Sequence, residues 1–308
     1  MLVNFNNGTG SRAWDSTKEI RGKNPVPADF LTLCLDSYFA TKWTDCPFVV
    51  VDDGSTDDSV ELLERYSNRF THFIKNGSNV GLTPSIDMAA ELLLREGCDA
   101  ICRFDGDIEF ITPGWDQKIL QHFLHNRRTG SVGAVQIAPF GGVLCHGDMM
   151  IHPKGYSHIL GPADLRMENC KLFFTGDTAF GDIECDSVMG CLAAFRSTAF
   201  KRVNGMRKDF YGIRGQTEDI NLRILLEGYQ CVSLGSVVFI HRHCEYKKKV
   251  SRQDTTDKLQ ESLVLWKRLW GFDKGNIDLQ AVYERWQGTP LTRNLLLNPD
   301  GQVQYVGP

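Results

Sequence analysis

Ten cysteines are scattered through the 308 residues without one C-x-x-C pair, so the spacing of a redox dithiol or a zinc ribbon is missing. Cys34, Cys98, Cys102, Cys191 and Cys231 sit among apolar neighbours, where a small thiol packs as a hydrophobe. That usage suits a reducing cytosol. Long hydrophobic runs are also missing. No stretch reaches the 18 or so apolar residues that a membrane helix needs, and the opening Met1-Leu2-Val3-Asn4-Phe5 turns polar at once, unlike a secretory signal. A cytoplasmic protein with no integral membrane span is expected, with peripheral contact at the inner membrane face left open. Charge of one sign is scarce as well. With 34 basic and 38 acidic residues, the net charge of −4 gives no electrostatic case for wholesale binding to nucleic acid or lipid.

What the chain does have is length enough to bury a large core and an alternation of two patterns. Short apolar runs suited to buried strands alternate with segments of helical period, which predicts an α/β fold: a mainly parallel, Rossmann-like sheet flanked by helices. Strands are expected at 1–5, 47–51, 72–75, 100–104 and 236–240. Helices are expected from Phe30, capped by Asp29, over about 59–66, through Pro84 to Leu94, and from a Thr217 cap to a stop at Gly228.

Two acidic stretches follow strands directly. Val49-Val50-Val51 runs into Asp52-Asp53-Gly54-Ser55-Thr56-Asp57, and Ala100 to Phe104 runs into Asp105-Gly106-Asp107. In an open parallel sheet, ligands sit beyond the carboxyl ends of the strands, so these acids share one rim. Hard divalent cations such as Mg2+ or Mn2+ prefer oxygen ligands and are commonly held by one or two carboxylates, with phosphate oxygens completing the shell. Asp52 to Asp58 reads equally as a capped helix start, and Asp53 can meanwhile accept a hydrogen bond from a base or ribose. Glu218 and Asp219 open an apolar helix, where acids also suit the helix dipole. His241 closes the strand at 236–240 and joins the rim as a candidate metal or phosphate contact.

In order and spacing, these segments resemble the family-2 glycosyltransferases of the GT-A fold. The resemblance covers roughly 1–243. It rests on Val3-Asn4-Phe5-Asn6-Asn7, Val50 to Asp57, Asn79-Val80-Gly81, Phe104 to Asp107, Gly190-Cys191, Val203-Asn204-Gly205-Met206, Thr217-Glu218-Asp219 and Val238 to His241. It implies an inverting, metal-dependent transfer from a nucleotide-diphosphate sugar, with a UDP-sugar as the commonest donor. Asn4, Asp52, Asp53, Asn79, Gly81 and Asp105 would bind the donor. Asp105, Asp107 and His241 would hold Mn2+ or Mg2+. Asp219 would be the general base and Glu218 its acceptor-positioning partner. A carboxylate with a pKa of about 4 cannot ionise a sugar hydroxyl outright, but it can take the proton as the glycosidic bond forms.

A glycan or lipid-linked glycan is the acceptor that family frequency favours, and the overall charge does not support a nucleic-acid acceptor. Two other classes stay open: a non-catalytic nucleotide-sugar binding protein and a sugar nucleotidyltransferase. The second lacks support because no early G-x-G-T-R-like segment is present. The expected division is a transferase domain over 1–245 and a helical extension with a loosely packed tail over 246–308. Polar segments at 8–28 and 141–186 read as acceptor-facing insertions. The second contains Cys145, His146, His152 and His158, whose spacing fits no standard zinc pattern. The basic run Tyr246 to Lys249 reads as solvated charge, and the stripe containing Trp266 and Trp270 as core or interface.

Overall fold

The computed structural model describes residues 1–9, 12–14, 30–139, 142–151, 155–158, 180–210, 215–242, 246–248, 252–271, 295–297 and 303–305. The chain begins with β1 (Leu2–Asn4) and β2 (Arg12–Trp14), then α1 (Phe30–Thr41), β3 (Val49–Asp52), α2 (Ser59–Glu64), β4 (His72–Lys75), α3 (Leu82–Arg95) and β5 (Ala100–Phe104). It continues through β6 (Ile108–Phe110), α4 (Trp115–His125), β7 (Thr129–Ile137), β8 (Val143–Cys145), β9 (Asp148–Ile151), β10 (Gly155–His158), β11 (Ile183–Cys185) and β12 (Leu192–Arg196). The rest is α5 (Ser197–Arg202), α6 (Gln216–Leu226), β13 (Gln230–His241), β14 (Tyr246–Lys248), α7 (Arg252–Trp270), β15 (Leu295–Leu297) and β16 (Val303–Tyr305).

The main sheet runs β11-β13-β7-β12-β5-β1-β3-β4, with β6 pairing β13 and β8 pairing β7. Strands β5, β1, β3 and β4 pair in parallel, as the strand-acid-helix succession predicts. The sheet is more mixed than that succession suggests, because β12 enters antiparallel between β5 and β7. Its entry brings the carbonyl of Cys191 against the Asp105 N–H, 3.0 Å away.

Side chains of a strand alternate between faces, and here both faces are covered. Val49 and Val51 join one apolar cluster with Ile86, Ala90, Ile101, Phe195, Ile220 and Ile224. Val50, between them, joins the other with Leu35, Tyr38, Phe48, Phe104, Phe110 and Trp115. Helices α3 and α6 therefore lie on one face, and α1 and α4 on the other. Tyr38 stacks on Phe48 and Phe104 with ring centroids 4.5 and 5.1 Å apart, which fixes α1 over the base of the strands that carry the site. The predicted aromatic stripe of α7 is core: Leu265, Trp266 and Trp270 belong to the α3/α6 cluster.

Other boundaries move for local reasons. The cap of α6 is Gly215, at φ 100°, and Thr217 lies inside the first turn. The stop does fall at Gly228, where the Tyr229 N–H reaches back 3.3 Å to the Ile224 carbonyl. Strand β13 starts at Gln230, well before the expected 236, because a register shift between Leu234 and Val238 interrupts the apolar alternation. Tyr246–Lys248 pairs antiparallel with Arg12–Trp14, and β15 pairs β16 within the tail. The expected Asp29 cap lies outside the described residues.

Candidate active site

The carboxyl ends of β1, β3 and β5 meet on one rim. Asn4 lies opposite Asp52 in the register of β1 and β3, and its amide donates to Asp52 Oδ1 over 2.8 Å. Asp52 also accepts from the backbone and hydroxyl of Ser55, at 2.9 and 2.6 Å. Its carboxylate thereby closes the turn that follows β3. Within that turn Gly54 adopts φ 74°, and a Cβ there would lie 2.5–2.7 Å from the backbone of Ser78 and Asn79, so only glycine lets the two loops touch.

Asp53 holds the second loop. It is 2% exposed and accepts from Asn76 Nδ2, the Val80 and Gly81 N–H groups and Ser85 Oγ, all at 2.9–3.0 Å. The expected donor-binding acids Asp52 and Asp53 are thus both engaged inside the protein, and Asn79 stands exposed on the loop they shape. Replacing Asp53 with Ala leaves these four donors without their acceptor. The expected cost is about 3 kcal/mol of unfolding free energy, read from the urea midpoint, and an unchanged midpoint would contradict this role.

Beside these loops, Asp105, Asp107 and His241 each offer one ligand atom, and the three atoms lie within 4.8 Å of one another. This is the one such group among the described residues. His241 Nε2 is 3.4 Å from Asp107 Oδ1, and its Nδ1 shares a 2.8 Å hydrogen bond with the Gln136 amide. Burial alone would push the imidazole down, but the Cys191 sulfur and the Asp107 carboxylate raise it well above the ordinary histidine range. The Gln136 amide nitrogen is the atom that faces Nδ1, while its Oε1 accepts from the Cys191 thiol at 3.3 Å, so in the neutral ring Nδ1 accepts and Nε2 carries the proton on the Asp107 side. Cation binding at Nε2 then requires the proton to move to Nδ1 and the Gln136 amide to turn its oxygen toward the ring, the outer hydrogen bond that fixes a metal-binding tautomer. Asp105 is half-exposed and ion-paired to the buried Arg103. Two carboxylates, one imidazole and a second-layer amide suit a hard or borderline divalent cation such as Mn2+ or Mg2+.

The start of α6 is tied to this cluster. Gly190 packs against Thr217 Oγ1, and a Cβ there would also come within 3.2 Å of Arg103 Nη1, so glycine permits the close approach of α6 to Arg103 and Asp105. The two acids of the helix then differ in kind. Glu218 is half-buried. Asp219 is 0% exposed: Oδ2 accepts from Arg223 Nε at 2.8 Å, and Oδ1 accepts from Arg207 Nε at 3.3 Å and Trp270 Nε1 at 3.1 Å.

The sequence gives no sign of a role for Arg103, Gln136 or Arg207, and it marks Trp270 only as part of a core or interface stripe. Only the i, i+4 spacing of Asp219 and Arg223 was a usable signal. Of the weaker zinc alternative, His146 is buried and bonded to Ser233 Oγ at 2.7 Å and the Gly181 carbonyl at 2.9 Å. His152 lies outside the described residues, as does His243.

The profile of Glycosyl transferase family 2 matches residues 23–203, more than half of the chain. No curated protein matches in sequence. Among solved structures, a mannosyltransferase from Pyrobaculum calidifontis, in complex with GDP-Man and Mn2+, is similar at 13% identity and a TM-score of 0.52, over 87% of this chain and 63% of that one. GalNAc-T7, with UDP, GalNAc and Mn2+, is similar at 13% identity and a TM-score of 0.57, over 84% of this chain and 52% of that one. The chain therefore spans less than two thirds of either protein, and at these identities the likeness shows the fold, a GT-A-type α/β sheet. No helix among the described residues is long and apolar enough to cross a membrane.

Proposed function

This chain belongs to glycosyl transferase family 2, and we propose that it moves a sugar from a nucleotide-diphosphate donor to an acceptor hydroxyl with inversion at the anomeric carbon. The observation that carries the reading is the convergence of Asp105, Asp107 and His241 at the carboxyl ends of the strands, where an open α/β sheet binds ligands. A divalent cation held by these residues would supply Lewis-acid neutralisation of the charge that builds on the departing diphosphate. Mn2+ is the ion to test first, since both structural neighbours were solved with it. Their nucleotides are GDP and UDP, and a UDP-sugar is the donor proposed here on family frequency.

The chain's own residues supply the rest. The loops ordered by Asp52 and Asp53 form the floor under the donor, with Asn4, Asn79 and Gly81 along their edge. Asp105, ion-paired to Arg103, faces the ribose and diphosphate side. From α6, Asp219 is proposed as the base that takes the acceptor proton, with Glu218 orienting the acceptor. The burial of Asp219 behind three donors favours a second reading, in which Glu218, the more open acid, takes the proton and Asp219 anchors the helix. A glycan or lipid-linked glycan is the proposed acceptor. Eight described cysteines are free thiols, which supports a reducing, cytoplasmic setting.

The test is a panel of UDP- and GDP-activated hexoses, each with MnCl2. At least one is expected to raise the melting temperature in the presence of the metal and to release nucleoside diphosphate. Release of pyrophosphate would point to nucleotidyl transfer, and binding without turnover to a non-catalytic nucleotide-sugar binder.

A further inference from the structure

We propose that Trp270, at the end of α7, is a positioning residue for sugar transfer: its indole N–H holds the Asp219 carboxylate in place, so that the C-terminal helix completes the site. The inference rests on the transferase reading and on Asp219 as its base.

Burial alone does not ask for tryptophan at this position. Trp266, one turn earlier and 0% exposed, already fixes α7 to the core, and any large apolar side chain at 270 would cover the same surface. What tryptophan adds is one N–H, and that N–H is spent on Asp219 Oδ1 across 51 residues of sequence.

Three parts of the chain converge on this carboxylate. Arg223 of α6 binds Oδ2 and is itself anchored on the Val203 and Gly205 carbonyls at 2.5 and 3.0 Å. Arg207 follows the same turn and reaches Oδ1. Asp87 of α3 accepts the Met206 N–H at 3.0 Å and keeps that turn in register. Oδ2, held at 2.8 Å by an arginine, is the fixed oxygen. Oδ1 accepts from two donors, at 3.1 and 3.3 Å, and with Oδ2 fixed by Arg223 these donors set the orientation of the whole carboxylate. The neutral indole orients Oδ1 without adding a second tight ion pair. The charged groups paired with the carboxylate are Arg207 after the turn and Arg223 on α6.

Trp270→Phe keeps an aromatic ring and removes the donor. The kcat for nucleoside diphosphate release is expected to fall about tenfold, the loss typical of a hydrogen bond to a charged group, while the Kd for UDP with MnCl2 stays within about twofold. The second variant carries β-(3-benzothienyl)alanine at position 270, with sulfur in place of the N–H and the same shape. It is expected to reproduce the kcat loss with the same unchanged Kd. Normal kcat in both variants overturns the proposal. So does a loss in the phenylalanine variant that the isostere does not share, because that pattern belongs to packing. If the unmodified protein neither binds UDP with MnCl2 nor releases nucleoside diphosphate, the transferase reading fails and this role falls with it. Wild-type turnover with unaffected variants removes the role alone.

Discussion

Asp107→Ala is expected to reduce manganese-dependent donor turnover about 10³-fold and to leave the residual turnover insensitive to added metal. Asp107 is 7% exposed and His241 is 8% exposed, so few waters are at hand to replace a missing carboxylate ligand. His241 loses at the same time the anion that faces its Nε2 at 3.4 Å, and two of the three ligand atoms are compromised by one change. The fold should survive, because the Arg242 N–H is held by the Asp107 backbone carbonyl at 2.9 Å, which the substitution keeps. Asp105→Ala makes the contrast. It frees the buried Arg103 from its partner, and a buried charge left unpaired is costly, so that variant should lose stability along with turnover. Kinetics with and without MnCl2, beside a thermal melt, separate the two. Metal-dependent turnover that survives in Asp107→Ala would remove this residue from the site.

The second large effect concerns α6. Asp219→Asn is expected to lower kcat at least about 10³-fold, within the range for loss of a positioned base, while the Kd for the donor stays nearly unchanged, since the base acts on the acceptor. It should also destabilise the protein by about 3 kcal/mol, because Arg207 and Arg223 lose a charged partner in a buried place. Glu218→Gln is expected to cost little stability and less than about tenfold in kcat, as for a residue that orients the acceptor. The pair is decisive because stability and chemistry are carried differently by the two acids. If Glu218→Gln shows the 10³-fold loss and Asp219→Asn only the loss of stability, the half-buried acid is the base and Asp219 is the anchor of its helix.

Much of this arrangement was legible in the sequence, for reasons that can be named. The β-branched run before Asp52 and the apolar run before Asp105 announce buried strands. An acid directly after a buried strand in an α/β pattern can only sit at the carboxyl end of the sheet, so the rim of Asn4, Asp52, Asp105 and Asp107 followed from local signals. The stripe of Trp266 and Trp270 reads as core or interface, and it is core.

What was not legible depended on tertiary contact. The antiparallel entry of β12 leaves no local mark, because its residues Leu192 to Phe195 read like any apolar strand. The first half of β13 was missed because the bulge around Gly235 breaks its alternation. Thr217 looked like a cap, but Gly215 provides the turn. The inward engagement of Asp52 and Asp53 could not be told from donor binding, because both uses place the same acids in the same position. Gln136 lies 105 residues from His241, and Trp270 lies 51 from Asp219. No periodicity connects such pairs.

On the proposed reading, Asp105, Asp107 and His241 hold one divalent cation under a nucleotide diphosphate. Crystals grown with MnCl2 and UDP, recorded at the manganese absorption edge, test it most directly. One anomalous peak within about 2.5 Å of a carboxylate oxygen of Asp107 and of His241 Nε2, with diphosphate oxygens on its open side, is the predicted result. A peak elsewhere on the molecule, or UDP bound with no peak at these three residues, would contradict it.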